Sequence, residues 1–129
     1  MTTWTSDELN RIEKAEELNV SSRRGDGTLR SQRTIWVVRV GDDLYVRSVN
    51  GRGSDWFRGV LTRHEGRIEA GGVAKEVQFV EQDDAAIHQQ IDAAYRQKYR
   101  HYPAAYVDSC LTPKARAATI QLVPRPADS

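Results

Sequence analysis

Apolar positions change their period several times along these 129 residues, and each change marks an element. Leu9, Ile12, Ala15 and Leu18 recur at intervals of three behind Thr5-x-x-Glu8, a capping-box spacing, which predicts a helix over about residues 6–17. Residues 19–24 read as a short strand, ended by Gly25-Asp26-Gly27-Thr28, and a polar loop follows to Gln32. Residues 34–40 and 44–49 are two runs of β-branched, apolar and aromatic residues around Gly41-Asp42-Asp43, which predicts an antiparallel hairpin. The glycines of Asn50-Gly51-Arg52-Gly53 interrupt that pattern, and Ser54 or Asp55 can cap a short helix carrying Trp56, Phe57, Val60 and Leu61.

Beyond a turn at His64-Glu65-Gly66, residues 67–70 and 73–81 flank Gly71-Gly72, a two-residue hairpin signal. Val73, Lys75, Val77 and Phe79 share one face of the second strand and supply most of its buried side. Asp83 or Asp84 can cap the strongest helix of the chain, on which Ile87, Ile91, Tyr95 and Tyr99 recur every four residues, joined by Ala94. Tyr102-Pro103 ends it, residues 104–111 form a further short helix, and residues 117–123 form a last strand with Ile120 and Leu122 on one face. The predicted class is therefore α+β, with about six strands. Short connections favour an antiparallel sheet or small barrel, because parallel pairs need long crossovers. One domain covers residues 1–129, with 1–5 and 124–129 as flexible tails.

Charge changes the picture locally rather than globally. The formal net charge of +1 argues against a general nucleic-acid binder, which needs a concentrated positive face. Between Arg23 and Arg67, however, ten arginines stand against five acids, which reads either as a solvated mixed surface or as a local anion site. Cys110 is the single cysteine, so neither an internal disulfide nor a multi-cysteine metal site can form, and a reducing cytoplasm is the expected setting. His64, His88 and His101 lack metal-ligand spacing, so no metal is expected. The start of the chain has no signal-peptide pattern and no apolar run reaches membrane-spanning length, so no membrane association is expected. No Walker loop, Gly-x-Ser-x-Gly elbow or His-Glu-x-x-His occurs, and no catalytic residue is legible.

The candidate site is the segment from Arg47 to Trp56. A strand ends near Ser48, glycines let the backbone turn its N–H groups towards one point, and the dipole of a helix starting at Ser54 or Asp55 favours negative charge. Arg47 and Arg52 can add full charges, although Asp55 opposes them, and Arg47 reads equally as a strand residue facing water. Trp36 and Trp56 are read either as ring-stacking residues or as anchors of a core or interface.

The runs 34–48, 50–58, Ile68-x-Ala-Gly-Gly-Val and Ile91-Asp-x-Ala-Tyr-x-x-Lys-Tyr resemble domain-of-unknown-function family 2255, a bacterial family whose name records no activity. More distantly, the strand, turn, Tyr-Val-x-Ser, glycine loop and tryptophan helix resemble the flavin-binding split β-barrel superfamily, which includes pyridoxamine-phosphate oxidases and deazaflavin-dependent nitroreductases. That resemblance implies a six-stranded antiparallel split β-barrel with flanking helices, acting as a homodimer that binds a small molecule. It implies a flavin or deazaflavin, with Arg47, Ser48, Asn50, Gly51, Arg52, Gly53 and Ser54 on the phosphate side and Trp56 at the supporting helix. Two departures stand out. The phosphate-side lysine of many flavin-binding members has no clear counterpart, and Asp55 occupies the place of a proline that often precedes the helix tryptophan in deazaflavin members. The implied function is a flavin- or deazaflavin-dependent oxidoreductase. The alternatives are a cofactor-free enzyme or binding protein for an organic metabolite in the same pocket, and a non-catalytic dimeric interaction module.

Overall fold

A computed structural model describes residues 3–125. The elements are α1 (Ser6–Lys14), β1 (Leu18–Ser22), β2 (Arg33–Ile35), β3 (Val38–Val40), β4 (Asp43–Arg47), a 3-10 turn (Gly51–Gly53), α2 (Asp55–Arg63), β5 (Glu65–Ala70), β6 (Val73–Glu81), α3 (Ala85–Lys98), α4 (Ala104–Asp108), α5 (Pro113–Arg116) and β7 (Thr119–Pro124). The class is α+β, as expected. The sheet has seven strands rather than six, all pairs antiparallel, in the order β2-β1-β5-β6-β7-β4-β3.

The seventh strand comes from a break in the predicted 34–40 run. Its halves, β2 and β3, lie at opposite edges of the sheet, and only Trp36 and Val37 connect them. The sheet therefore curls into a half-barrel whose two edges meet at one seam. The backbone groups freed there are taken up by the end of α3. Val37 N–H donates to the Tyr99 hydroxyl at 3.2 Å, and Val37 C=O accepts from Lys98 Nζ at 2.8 Å. Burial brings the Lys98 ammonium down to about 8, against the pull of Glu13 and Glu16. The predicted hairpin survives as β3–β4, with Val38 opposite Tyr45 across Gly41-Asp42.

Local chemistry accounts for the helix starts. Thr5 and Glu8 form the reciprocal capping box, and Leu9 and Ile12 point into the core. Helix α1 ends at Lys14, three residues short of the expected end, because Ala15 turns into extended backbone leading to β1. The α5 helix lies outside the sequence expectation, although Thr112 caps it and Pro113 occupies its first position. Both expected tails carry ordered residues: Trp4 is buried and donates its Nε1–H to Leu122 C=O at 2.9 Å, and Pro124 pairs with Val77. Residues 1–2 and 126–129 of those tails lie outside the described residues.

Two cores follow from strand alternation. Leu44 and Val46 of β4 face the barrel interior with Trp4, Ile12, Phe57, Ile68 and Phe79. Tyr45 faces the other way, into a second cluster with Ile91, Tyr95, Tyr99 and Val107 under α3 and α4. Period two places Arg47 on the Tyr45 face, so its side chain enters the protein beneath α3 rather than water.

Candidate functional site

The predicted segment is well ordered by its own bonds. Ser48 is buried, its N–H donates to Ala118 C=O, and its hydroxyl lies 2.7 Å from that of Ser54. Gly51 holds a φ of 80°, and a Cβ there would stand 2.7 Å from Lys114 Cγ, so glycine serves both conformation and space. Asn50 and Gly53 are exposed, and Trp56 is half-buried in the first turn of α2.

The two arginines of the segment do not converge. Arg47 has a fully inaccessible side chain that donates to Thr119 Oγ1 (2.9 Å), Asp92 Oδ1 (2.6 Å), Cys110 C=O (2.8 Å) and His88 Nδ1 (3.0 Å). Arg52 lies elsewhere, donating to Glu81 Oε1 (2.6 Å) and Ala117 C=O (2.8 Å) beside a polar hollow of about 420 Å³ that also contains Gln82, Asp83, His88 and Arg116. Asp55 meets neither of them and stands 4.0 Å from Arg33.

On the other side of α2 lies a basic cleft of about 470 Å³, between that helix and the loop joining β1 to β2. Arg24, Arg30, Arg33 and Arg58 line it with Ser22 and Ser31, and Asp55 is the one acidic residue in its wall. Arg30 Nε is buried and has no hydrogen-bond partner among the described residues. Such a group carries a desolvation cost that an anion in the cleft would relieve. Gly59 lets the loop approach this closely, because a Cβ there would come within 2.5 Å of Ser22 Oγ and 3.0 Å of Arg30 Nε. The sequence shows these arginines only as a local excess of charge; folding brings together residues separated by as many as 34 positions, from Arg24 to Arg58.

Adjoining the cleft is a second pocket, of about 250 Å³ and mostly apolar. Ile35, Trp36, Tyr95, Tyr106 and Cys110 form its walls, and Ser48, Val49 and Asn50 of the predicted segment lie along it. Trp36 stacks on Tyr99 with centroids 3.9 Å apart and planes 4° apart, which holds its ring rigidly at the pocket. Trp56 borders both the pocket and the cleft. Neither Cys110 nor Tyr95 is poised to react there as an anion. Burial pushes the Cys110 thiol up, outweighing the Ser109 hydrogen bond and the Arg47 charge, and burial raises the Tyr95 hydroxyl well above its ordinary value. Among the described residues, no cluster of three or more histidine, cysteine or acidic residues could hold a metal ion, and no helix is long and apolar enough to cross a membrane.

Solved structures share this fold. A candidate pyridoxamine 5'-phosphate oxidase from Listeria innocua aligns at 15% identity with a TM-score of 0.62, covering 92% of this chain and 90% of that one. An F420-H2 dependent reductase aligns at 12% identity with a TM-score of 0.60, covering 84% and 93%. An FAD-binding protein from Mesorhizobium loti aligns at 15% identity with a TM-score of 0.56, covering 96% and 92%. At these identities the likeness is one of fold. No curated protein is significantly similar in sequence. The family model for uncharacterized proteins conserved in bacteria, domain-of-unknown-function family 2255, matches residues 8–122, and the chain belongs to that family.

Proposed function

We propose that the protein binds a flavin-type cofactor, a flavin or deazaflavin, and acts with it as an oxidoreductase on a small molecule. One observation carries the reading: an arginine-lined cleft and an aromatic-walled pocket meet at Trp56, the two environments that an anionic tail and a planar ring each need. Arg24, Arg30, Arg33 and Arg58 would hold the phosphate end. Trp36, Trp56, Ser48 and Asn50 would border the ring. When bound, such a ring supplies hydride transfer, which asks the protein for position and exclusion of water rather than for an ionised side chain. The fold shared with an F420-H2 dependent reductase and an FAD-binding protein supports the reading. A lone, buried Cys110 suits a reducing cytoplasm.

Titration of flavin mononucleotide, riboflavin and a deazaflavin cofactor against wild type, Arg30→Ala and Arg52→Ala tests both the reading and the position of the anion. Loss of a charged hydrogen bond in Arg30→Ala should weaken flavin mononucleotide by about 1.5–3 kcal/mol and leave riboflavin, which has no phosphate, unchanged. A loss confined to Arg52→Ala would instead place the phosphate at the glycine loop. A wild type that binds none of the three ligands would remove the cofactor reading and leave a metabolite-binding protein or an interaction module.

The same reading includes a homodimer. Val49 and Tyr106, 43% and 61% exposed, are both large apolar side chains at the aromatic pocket, where a second copy would cover them. Light scattering at micromolar concentration should give twice the chain mass, and a monomer mass there would contradict it.

A further inference from the structure

One buried side chain, Arg47, links the aromatic pocket to the polar hollow beside His88. Its guanidinium ties β4 to β7 through Thr119, to α3 through Asp92 and His88, and to the segment after α4 through the Cys110 carbonyl. Two of its neighbours shape the aromatic pocket: Cys110, whose carbonyl it holds, and Tyr95, whose ring centroid lies 5.6 Å from Arg47 Cζ. His88, by contrast, borders the hollow.

A guanidinium can only donate, so His88 Nδ1 must accept from it with a free lone pair. The ring proton then sits on Nε2. A second proton has nowhere to go except Nδ1, where it would place one N–H against another and one positive charge against another. We propose that His88 is a proton-sensitive latch: its protonation breaks the His88–Arg47 bond and, by repulsion, shifts Arg47 against the Cys110 and Tyr95 walls, so that the aromatic pocket binds its ligand less well in acid.

The charges around His88 agree with this direction. Burial and the Arg47 charge on β4 hold the imidazole below its ordinary value, against the Gln82 hydrogen bond and Asp92 one turn along α3, and Arg116 of α5 adds to the depression. Glu81 of β6, Asp83 in the loop that follows it, and Arg52 of the 3-10 turn complete the charged groups of the hollow. The neutral ring is therefore the resting form at neutral pH. As pH falls below the ordinary histidine range the unfolded or loosened protein takes up a proton before the latched one, so stability and binding decline together. Linkage also requires that a ligand in the pocket depress His88 further.

The effect on binding rests on the ring-pocket reading, but the latch itself can be read without any ligand. Nuclear magnetic resonance of the wild type from pH 8 to pH 5 should show the backbone amides of Tyr95 and Cys110 moving with the same midpoint as the His88 imidazole. In parallel, riboflavin affinity should fall about tenfold over that range, the equivalent of one pKa unit of coupling, and should become flat in His88→Asn, which keeps an acceptor near Nδ1 and cannot charge. Amides of Tyr95 and Cys110 that ignore the His88 titration, or a pH slope that persists in His88→Asn, would overturn the latch. If riboflavin fails to bind the wild type at pH 8, the ring reading falls, and the ligand-free resonances still decide for or against the latch.

Discussion

Replacing Asp92 by alanine should destabilise the protein by about 3–5 kcal/mol, a large part of the stability of a domain this size. The reason lies in what the substitution leaves behind. Arg47 is completely shielded from water and Asp92 is 5% exposed, so among the described residues the carboxylate is the one full countercharge that the buried guanidinium touches. Asp92 also accepts from Arg116, whose side chain is 44% exposed and can turn to solvent when released. Arg47 has no such escape, because Thr119, Cys110 and His88 hold it in place and none of them carries negative charge. Burial alone would raise the Asp92 carboxyl, but hydrogen bonds from Arg116 and Arg47 and their charges outweigh it and hold the group below its ordinary 3.8. Its contribution is thus complete above that ordinary value and is lost as pH falls through the lower folded-state value. Urea denaturation of Asp92→Ala and of Glu81→Ala makes the comparison. The Glu81–Arg52 pair is equally short at 2.6 Å but 42% and 47% exposed, so its loss should cost at most about 1 kcal/mol. Equal losses in the two variants would mean that Arg47 is not confined as described.

How much of the molecule is legible in its sequence depends on whether the cause is local. Strand β6 and its Gly71-Gly72 turn match the reading of residues 73–81 because turn chemistry and period two act within a few residues. The Thr5 capping box and the Asp84 cap of α3 are local for the same reason. The break at Trp36-Val37 is not legible, since the groups that satisfy Val37 are Lys98 and Tyr99, some sixty positions away in the chain. Alternation does place Arg47 beside Tyr45, but nothing in residues 43–47 says that α3 covers that face. The sequence alone therefore makes Arg47 either a clamp for an outside anion or a strand residue facing water, when it is an internal tie. The basic cleft fails to emerge for a related reason: its arginines are visible as a local excess, while their convergence depends on how β1, its following loop and α2 pack. The α5 helix is findable from Thr112-Pro113, a cap followed by proline at the first helical position.

Replacing Gly66 by alanine should cost about 3 kcal/mol, at the upper end of what overpacking a core usually does. Gly66 lies in β5 between Ser22 of β1 and Val77 of β6, in a buried position of the half-barrel. An added Cβ would stand 2.2 Å from the Ser21 carbonyl oxygen and 2.9 Å from the Phe79 ring, both well inside contact distance. Phe79 is 2% exposed and surrounded by core, so its ring has little room to swing away. The Ser21 oxygen is backbone in a paired strand, and moving it would strain the β1–β5 ladder that supports the β1 side of the basic cleft. For a chain of this length the loss corresponds to a fall in Tm on the order of 10 °C. Shortening the ring with Phe79→Leu should relieve little of it, because the shorter contact is to backbone. Gly53 provides the contrast, with nothing within 4 Å of where an added methyl group would stand and no left-handed φ, so Gly53→Ala should change stability by no more than about 0.5 kcal/mol. A Gly66→Ala protein that melts with the wild type would mean that β1 and β5 do not approach as closely as the curl of the sheet requires.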